Sequence, residues 1–217
     1  KLPKQNVDFG GGLERIAAAK QNTPDMFKIS VLQPIIVTLE SLSGKTYESH
    51  TESMRVIADH MRAAVFLAVD GVVPSNTAQG YVMRRLMRRA IRFAFDLGVE
   101  QDLCDKLVPV VCDLYADDYP EVSESRERVL EVLKREEILF RKTLRNGLRE
   151  FEKISSIKMT GEYDTGSLHP GMKSMIFASE LFELHDTHGF PVELSLEEAY
   201  KRGVSTEEGW KEKFDIL

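Results

Sequence analysis

The chain has 217 residues, of which 42% are hydrophobic and 29% are charged, and its formal net charge is −6. This is the composition of a globular protein long enough for one or two hydrophobic cores. The acidic balance excludes a general nucleic-acid coat protein, so any nucleic-acid binding must use a local basic patch. No apolar run approaches 18 residues, and the two cysteines form no CxxC pair, so we expect a cytoplasmic protein.

The first half of the chain predicts one short strand followed by helices. Residues 2–9 have an extended character, and three glycines then lead into a strong helix former at residues 13–21. Residues 70–76 carry strong turn chemistry. Apolar residues recur at helical spacing in four further segments, which are 29–42, 52–69, 79–97 and 103–115.

The second half predicts one long amphipathic helix and several short elements. Residues 121–157 keep a continuous apolar stripe, residues 159–171 predict an exposed loop or a short hairpin, and residues 177–184 predict a short helix. Residues 185–191 predict a compact turn, and capping boxes at 195–198 and 205–208 predict two further helix starts. The fold class is therefore mainly α, with little sign of a sheet beyond the first strand.

Five arginines fall within nine residues of the helix predicted at 79–97, namely Arg84, Arg85, Arg88, Arg89 and Arg92. Residues four apart lie on one side of a helix, so this spacing predicts a positive ridge. The arginines of this ridge repel one another, so negatively charged groups are expected to offset the repulsion. A polyanion is one candidate. Internal pairing is the other, because the segment from Asp96 to Glu124 carries nine acids and one lysine. The charge pattern alone favours neither a polyanion nor internal pairing over the other.

Four other groups of residues indicate a functional site less strongly than the arginines do. The glycine turn before residue 13 offers backbone N–H groups to an anion, although most such turns are structural. Asn76 could read a base edge, but a turn or helix-cap role is the commoner use of asparagine. His185, Asp186 and His188, with His169 upstream, lack zinc-finger spacing, so a structural turn is favoured over a metal site. Asp59 and His60 resemble half a catalytic dyad, but they lie on a helix without a suitably spaced nucleophile.

Four strings in this chain occur in the order found in the alanyl-tRNA synthetase family, which the chain resembles over residues 6–94 and 177–195. The strings are VDFGGGLERIAAAKQ, RVIADHMRAAVFLAVDGVVPSN, QGYVMRRLMRRAIRFA and LFELHDTHGFPVELS. The first resembles motif 3 of class II synthetases. The resemblance implies that residues 1–25 end the catalytic domain and that residues 26–217 form a helical bundle-like tRNA-recognition domain.

The resemblance also implies roles for individual residues. Gly10, Gly12 and Arg15 match the ATP site, where a planar guanidinium can stack on adenine. Asn76 and Asp186 match residues that recognise a G·U pair in the acceptor stem of tRNA(Ala). Phosphate contacts set register without reading sequence, and they are expected from Tyr81, Arg84, Arg85, Arg88, Arg89 and Arg92. The chain departs from the family where Gln79 replaces an arginine and Gly11 a methionine, and residues 159–173 resemble an insertion.

Motif 1, motif 2 and the zinc-type ligands of the family's editing domain are missing from this sequence. Because the chain also opens without Met and in mid-motif, we expect a fragment of a longer alanine–tRNA ligase that is inactive by itself. The longer enzyme would use ATP with Mg²⁺, alanine and tRNA(Ala), whereas the fragment is expected to hold no cofactor and no metal. The alternative is a non-catalytic helical module that binds another protein.

Overall fold

Helices dominate the computed structural model, which describes residues 10–160 and 175–217. The mainly α prediction is confirmed, and in these stretches no helix is long and apolar enough to cross a lipid bilayer. The chain forms two compact units, Lys1–Glu137 and Ile138–Leu217. The strand predicted at residues 2–9 lies outside the described residues.

The first unit is built from helices whose bounds follow the sequence periodicity. They are α1 (Leu13–Lys20), α2 (Gln33–Ser43), α3 (Thr51–Val69), α4 (Ala78–Asp96), α5 (Leu103–Tyr115), α6 (Pro120–Glu124) and the beginning of α7 (Arg126–Thr160), with a 3₁₀ turn at Met26–Lys28. The apolar faces of α3, α4 and α5 form the centre of the core, where Met61, Met87 and Leu107 are fully buried. Each such side chain contributes about 1.5–3 kcal/mol through burial.

Two helix ends in this unit follow directly from glycine. Gly44 and Gly98 adopt positive φ values of 66° and 83°, which end α2 and α4 where the sequence predicted. The start of α2 was predicted too early, because residues 29–32 form turns and the helix begins only at Gln33, beside Pro34. Proline suits the first turn of a helix because its missing N–H has no partner there.

The long helix predicted at 121–157 is interrupted near its start. Residues 120–124 form the separate α6, and α7 begins at Arg126. Ser125 lies between them, and its C=O accepts the N–H of Val129 at 2.9 Å to begin α7. Its side-chain oxygen accepts a hydrogen bond from Arg128 Nη2 at 3.2 Å. The loop was predicted from residue 159, but α7 extends to Thr160, and residues 161–174 lie outside the described part.

The second unit continues α7 and adds α8 (Ala178–Asp186), α9 (Val192–Lys201) and α10 (Trp210–Ile216). Its core contains Phe140, Phe151 and Phe190, all fully buried. A two-residue parallel pair joins β1 (Met175–Ile176) to β2 (Ser205–Thr206), with Met175 opposite Ser205. The sequence did not predict this sheet, because two residues are too few for a periodic pattern.

Both predicted capping boxes in the second unit are wrong. Ser195 lies inside α9, is fully buried and donates its hydroxyl to the C=O of Pro191 at 3.3 Å. Ser205 belongs to β2, and α10 begins only at Trp210. The carboxylate of Glu207 accepts a hydrogen bond from the N–H of Ala178 at 3.1 Å. A residue distant in sequence therefore binds one of the backbone N–H groups at the start of α8. Neither serine therefore acts as the helix cap that its motif predicted.

Candidate functional site

The candidate site of the first unit is α4 together with the loop that precedes it. Residues 70–77 lead into the helix at a residue with strained backbone, since Ala78 has a φ of 49°. The five arginines follow on two rows, one formed by residues 84, 88 and 92 and the other by residues 85 and 89. The helical spacing predicted from sequence is confirmed, and the two rows have different surroundings.

The row of Arg84, Arg88 and Arg92 is paired within its own unit. Arg88 Nε lies 2.8 Å from Glu136 Oε1, and Arg84 Nε lies 3.4 Å from the same oxygen. Arg92 pairs with Asp96 and is only 5% exposed. Glu136 is 4% exposed, and a carboxylate that is buried this deeply requires cationic partners. These three arginines therefore do not form an outward ridge, and internal pairing offsets their repulsion.

In the other row, one of the two arginines is exposed. Arg85 is exposed and its guanidinium lies 5.9 Å from the ring centre of Tyr81, which is itself 43% exposed. Arg89 is half-buried, with its guanidinium 5.6 Å from the ring centre of Phe93. A cation above the face of an aromatic ring is attracted by the negative charge of that face. The phosphate contacts expected of these residues stay a prediction.

Asn76 lies on the exposed loop at the start of α4. Its side-chain oxygen accepts a hydrogen bond from Arg84 Nη1. The N-cap position of α4 belongs to Thr77, which makes no side-chain cap. The helix-cap role weighed for Asn76 from sequence is therefore not its role in this structure. Its amide is held by an arginine one to two turns along the helix.

A glycine allows the loop to approach α4 this closely. The buried Gly80 lies in the first turn of the helix, and its C=O accepts the N–H of Ser75 at 3.1 Å. A Cβ at this position would lie 2.1 Å from Ser75 Oγ and 2.5 Å from the carbonyl oxygen of Val73. Both separations are far below contact distance, so the absent side chain determines how the Asn76 loop sits on the helix.

The glycine turn at the chain start positions a different set of residues. Gly12 is the N-cap of α1, and Gly10 and Arg15 are exposed. Glu14 pairs with Arg62 of α3 at 2.8 Å. A hydrogen bond from its own backbone N–H, together with Arg62, lowers the pKa of Glu14 despite its partial burial. Of the two first-turn charges, Glu14 is thus used structurally, and the ATP contact expected of Arg15 stays a prediction.

Asp186 belongs to the second unit, and its environment differs from the predicted turn. It is exposed and is the last residue of α8, while the reversal comes at Gly189, which has a φ of 63°. The end of a helix carries partial negative charge, so an acid here opposes the dipole by about 0.3–1 kcal/mol. Asp186 therefore does not stabilise α8 through the helix dipole.

The histidines and Asp59 make ordinary contacts. His185 lies edge-on to Phe214, with ring centres 5.8 Å apart. Across residues 10–160 and 175–217, no group of three or more His, Cys, Asp or Glu side chains is arranged to hold a metal ion, and His169 lies outside these stretches. Asp59 Oδ2 lies 3.3 Å from His60 Nδ1, and this hydrogen bond lowers the pKa of Asp59.

Two glutamates of α7 were missed by sequence reasoning. Glu136 holds two arginines of α4, and Glu137, which is 3% exposed, accepts the N–H groups of Leu103 and Cys104 at 3.1 and 2.8 Å. A signal existed in the sequence. Both acids lie three or four residues from Leu133 and from Phe140, so they interrupt the apolar stripe of α7 on the side that enters the core.

Comparison with known proteins identifies the family of this chain. The family model for class II (A) tRNA synthetases matches residues 1–214. Alanine–tRNA ligase of Halalkalibacterium halodurans is 42% identical over 210 residues, covering 95% of this chain and 23% of that protein. Alanine–tRNA ligase of Bacillus subtilis is 41% identical over 218 residues, covering 99% of this chain and 24% of that protein. Alanine–tRNA ligase of Corynebacterium diphtheriae is 38% identical over 210 residues, covering 95% of this chain and 22% of that protein. The chain thus spans about a quarter of these relatives, and it belongs to the class II tRNA synthetase family.

Proposed function

We propose that this chain is the tRNA-recognition segment of an alanine–tRNA ligase, a cytoplasmic enzyme that activates alanine with ATP and Mg²⁺ and transfers it to tRNA(Ala). Asn76 and Asp186 read the G·U pair of the acceptor stem. Phosphates are bound by Tyr81, Arg85 and Arg89 on the outer side of α4. Gly10, Gly12 and Arg15 complete the ATP site of the whole enzyme, and the chain alone is inactive.

The observation that carries this proposal is the exposed amide of Asn76, held by Arg84 next to the less buried arginine row. The minor groove of A-form RNA is wide and shallow, so a compact side chain on a fixed turn can reach base edges. Asp186 supports the same function because an exposed acid at a helix end opposes the dipole and is available to accept from a base amine.

Titration with acceptor-stem minihelices tests the proposal. The chain should bind a G·U minihelix more tightly than its G·C counterpart, with affinity that falls steeply as salt rises. Asn76→Ala and Asp186→Ala should each reduce this preference by about 5- to 160-fold, equivalent to about 1–3 kcal/mol. Asn146→Ala and Asp118→Ala change exposed residues of the same types and should leave the preference unaltered. Retention of wobble preference in both site variants would contradict the assignment.

Catalytic inactivity has its own test. The chain incubated with alanine and ATP should form no alanyl-adenylate, measured as pyrophosphate exchange, whereas formation of adenylate would refute this part. A protein-interaction module is the second candidate, because Arg84, Arg88 and Arg92 already have acidic partners. That function predicts weak RNA binding with the same affinity for G·U and G·C minihelices.

A further inference from the structure

Arg84 connects a buried carboxylate to the loop that carries Asn76. Its Nε lies 3.4 Å from Glu136 Oε1, and its Nη2 donates to the C=O of Pro74 at 3.2 Å. Its Nη1 donates to the side-chain oxygen of Asn76. The side chain of Arg84 is three-quarters buried, so its position is determined by these partners and by packing.

The chemistry of the two side chains determines which end of the Asn76 amide points outward. Arginine carries five N–H donors and no acceptor. The amide atom that faces Arg84 must therefore be the oxygen, because the amide nitrogen would place donor against donor. With its oxygen engaged, Asn76 presents its NH₂ group to solvent as a donor of two hydrogen bonds.

We propose that Arg84 is a positioning residue that makes Asn76 a hydrogen-bond donor toward the RNA, and that Arg84 itself does not contact phosphate. Asn76 then reads an acceptor atom on the base edge, of the kind that purine N3 and pyrimidine O2 present in a minor groove. This inference rests on the proposed function, in which Asn76 contacts the wobble pair. It moves Arg84 from the phosphate-binding residues to those that orient the base reader.

Arginine is required at this position because one planar group forms an ion pair with Glu136 and donates hydrogen bonds to two acceptors of the loop, Pro74 and Asn76. The guanidinium fork reaches Glu136, Pro74 and Asn76 simultaneously, whereas a lysine ammonium is a compact charge on a flexible stem. Lysine would keep the charge and the pairing with the buried carboxylate, but the contacts with the loop would be lost. Substitution by lysine therefore separates charge from positioning.

The experiment compares G·U and G·C minihelices with the 217-residue chain and its variants across a salt series. Arg84→Lys should reduce the G·U preference about tenfold without changing the salt slope. Arg88→Lys is the matched control, because Arg88 pairs with the same Glu136 oxygen and is equally buried. The G·U preference of this variant should equal that of the wild-type chain. Arg85→Ala should instead lower the slope by about one and keep the preference.

A double-mutant cycle decides whether Arg84 acts through Asn76. In an Asn76→Ala background, Arg84→Lys should have no further effect on the preference, since the group that it orients is gone. Additive effects in the cycle, or a reduced salt slope in Arg84→Lys, would overturn the proposal. A wild-type chain without wobble preference would instead refute the proposed function, so the two failures are distinguishable.

A second variant tests the donor role without disturbing the core. Asn76 is exposed, so Asn76→Asp should fold normally, and its carboxylate can still accept from Arg84. Aspartate offers no donor, so the G·U preference should fall as far as in Asn76→Ala. Preference that survives in Asn76→Asp would show that the oxygen of residue 76 does the reading, which contradicts the proposed orientation.

Discussion

Replacing Gly80 by alanine tests how the Asn76 loop is held. In most helices this change is favourable by about 1 kcal/mol, because alanine loses less backbone entropy than glycine. At Gly80 the new Cβ would lie 2.1 Å from Ser75 Oγ and 2.5 Å from the backbone oxygen of Val73. The serine side chain can rotate, but the Val73 carbonyl can move only with its loop.

The magnitude follows from that displacement. The Val73 oxygen must move by about 1 Å to regain ordinary contact at 3.4 Å, and overpacking of this kind costs about 1–3 kcal/mol. After the gain of about 1 kcal/mol in helix propensity, we expect Gly80→Ala to lower the free energy of unfolding by up to about 2 kcal/mol. The same movement shifts Asn76, so the preference for a G·U minihelix should fall as well.

Urea denaturation of the chain, followed by circular dichroism, measures the stability change. Gln79→Ala is the matched control, because it introduces the same residue one position earlier at an exposed site. It should leave stability unchanged or raise it by a few tenths of a kcal/mol. If Gly80→Ala is as stable as Gln79→Ala, the close approach of loop and helix is wrong, and so is the reasoning built on it.

Two further predictions concern carboxylates of the first unit. Glu137→Ala removes the acceptor for the N–H groups of Leu103 and Cys104, and it should destabilise the chain by about 2–5 kcal/mol in urea denaturation. Glu131→Ala, on the exposed side of α7, is the control and should cost less than about 0.5 kcal/mol. Equal losses in the two variants would contradict the role of Glu137 as the acceptor at the start of α5. Burial opposes ionisation of Asp25, but hydrogen bonds from Tyr47, the Phe27 N–H and Arg55 outweigh it and lower its pKa. The stability that Asp25 contributes is therefore complete above its ordinary pKa of 3.8 and is lost as the pH falls through its lowered value. Asp25→Asn should destabilise the chain at pH 7, and its difference from wild type should shrink in denaturation below pH 3.8; a difference that stays constant with pH would refute this assignment.

Periodicity in the sequence determined most of the helices, because each has an apolar face long enough to show a repeat. The bounds of α5 were predicted to the residue, and Gly44 and Gly98 predicted two helix ends, since only glycine adopts positive φ without strain. The four family strings likewise identified the family. These features depend on neighbours along the chain, which a single sequence displays directly.

Contacts between distant segments decided the rest. The spacing of the arginines predicts two rows on α4, but it does not show that Glu136, 48 to 52 residues away along the chain, pairs with Arg84 and Arg88 of one row. The Ser195 and Ser205 capping boxes failed for the same reason, because burial and strand pairing outweighed a local hydrogen bond. Sequence therefore determined where the helices lie and which family they belong to. Only the tertiary structure decided which arginines are internally paired and which atom of Asn76 faces outward, because both depend on partners brought together by folding.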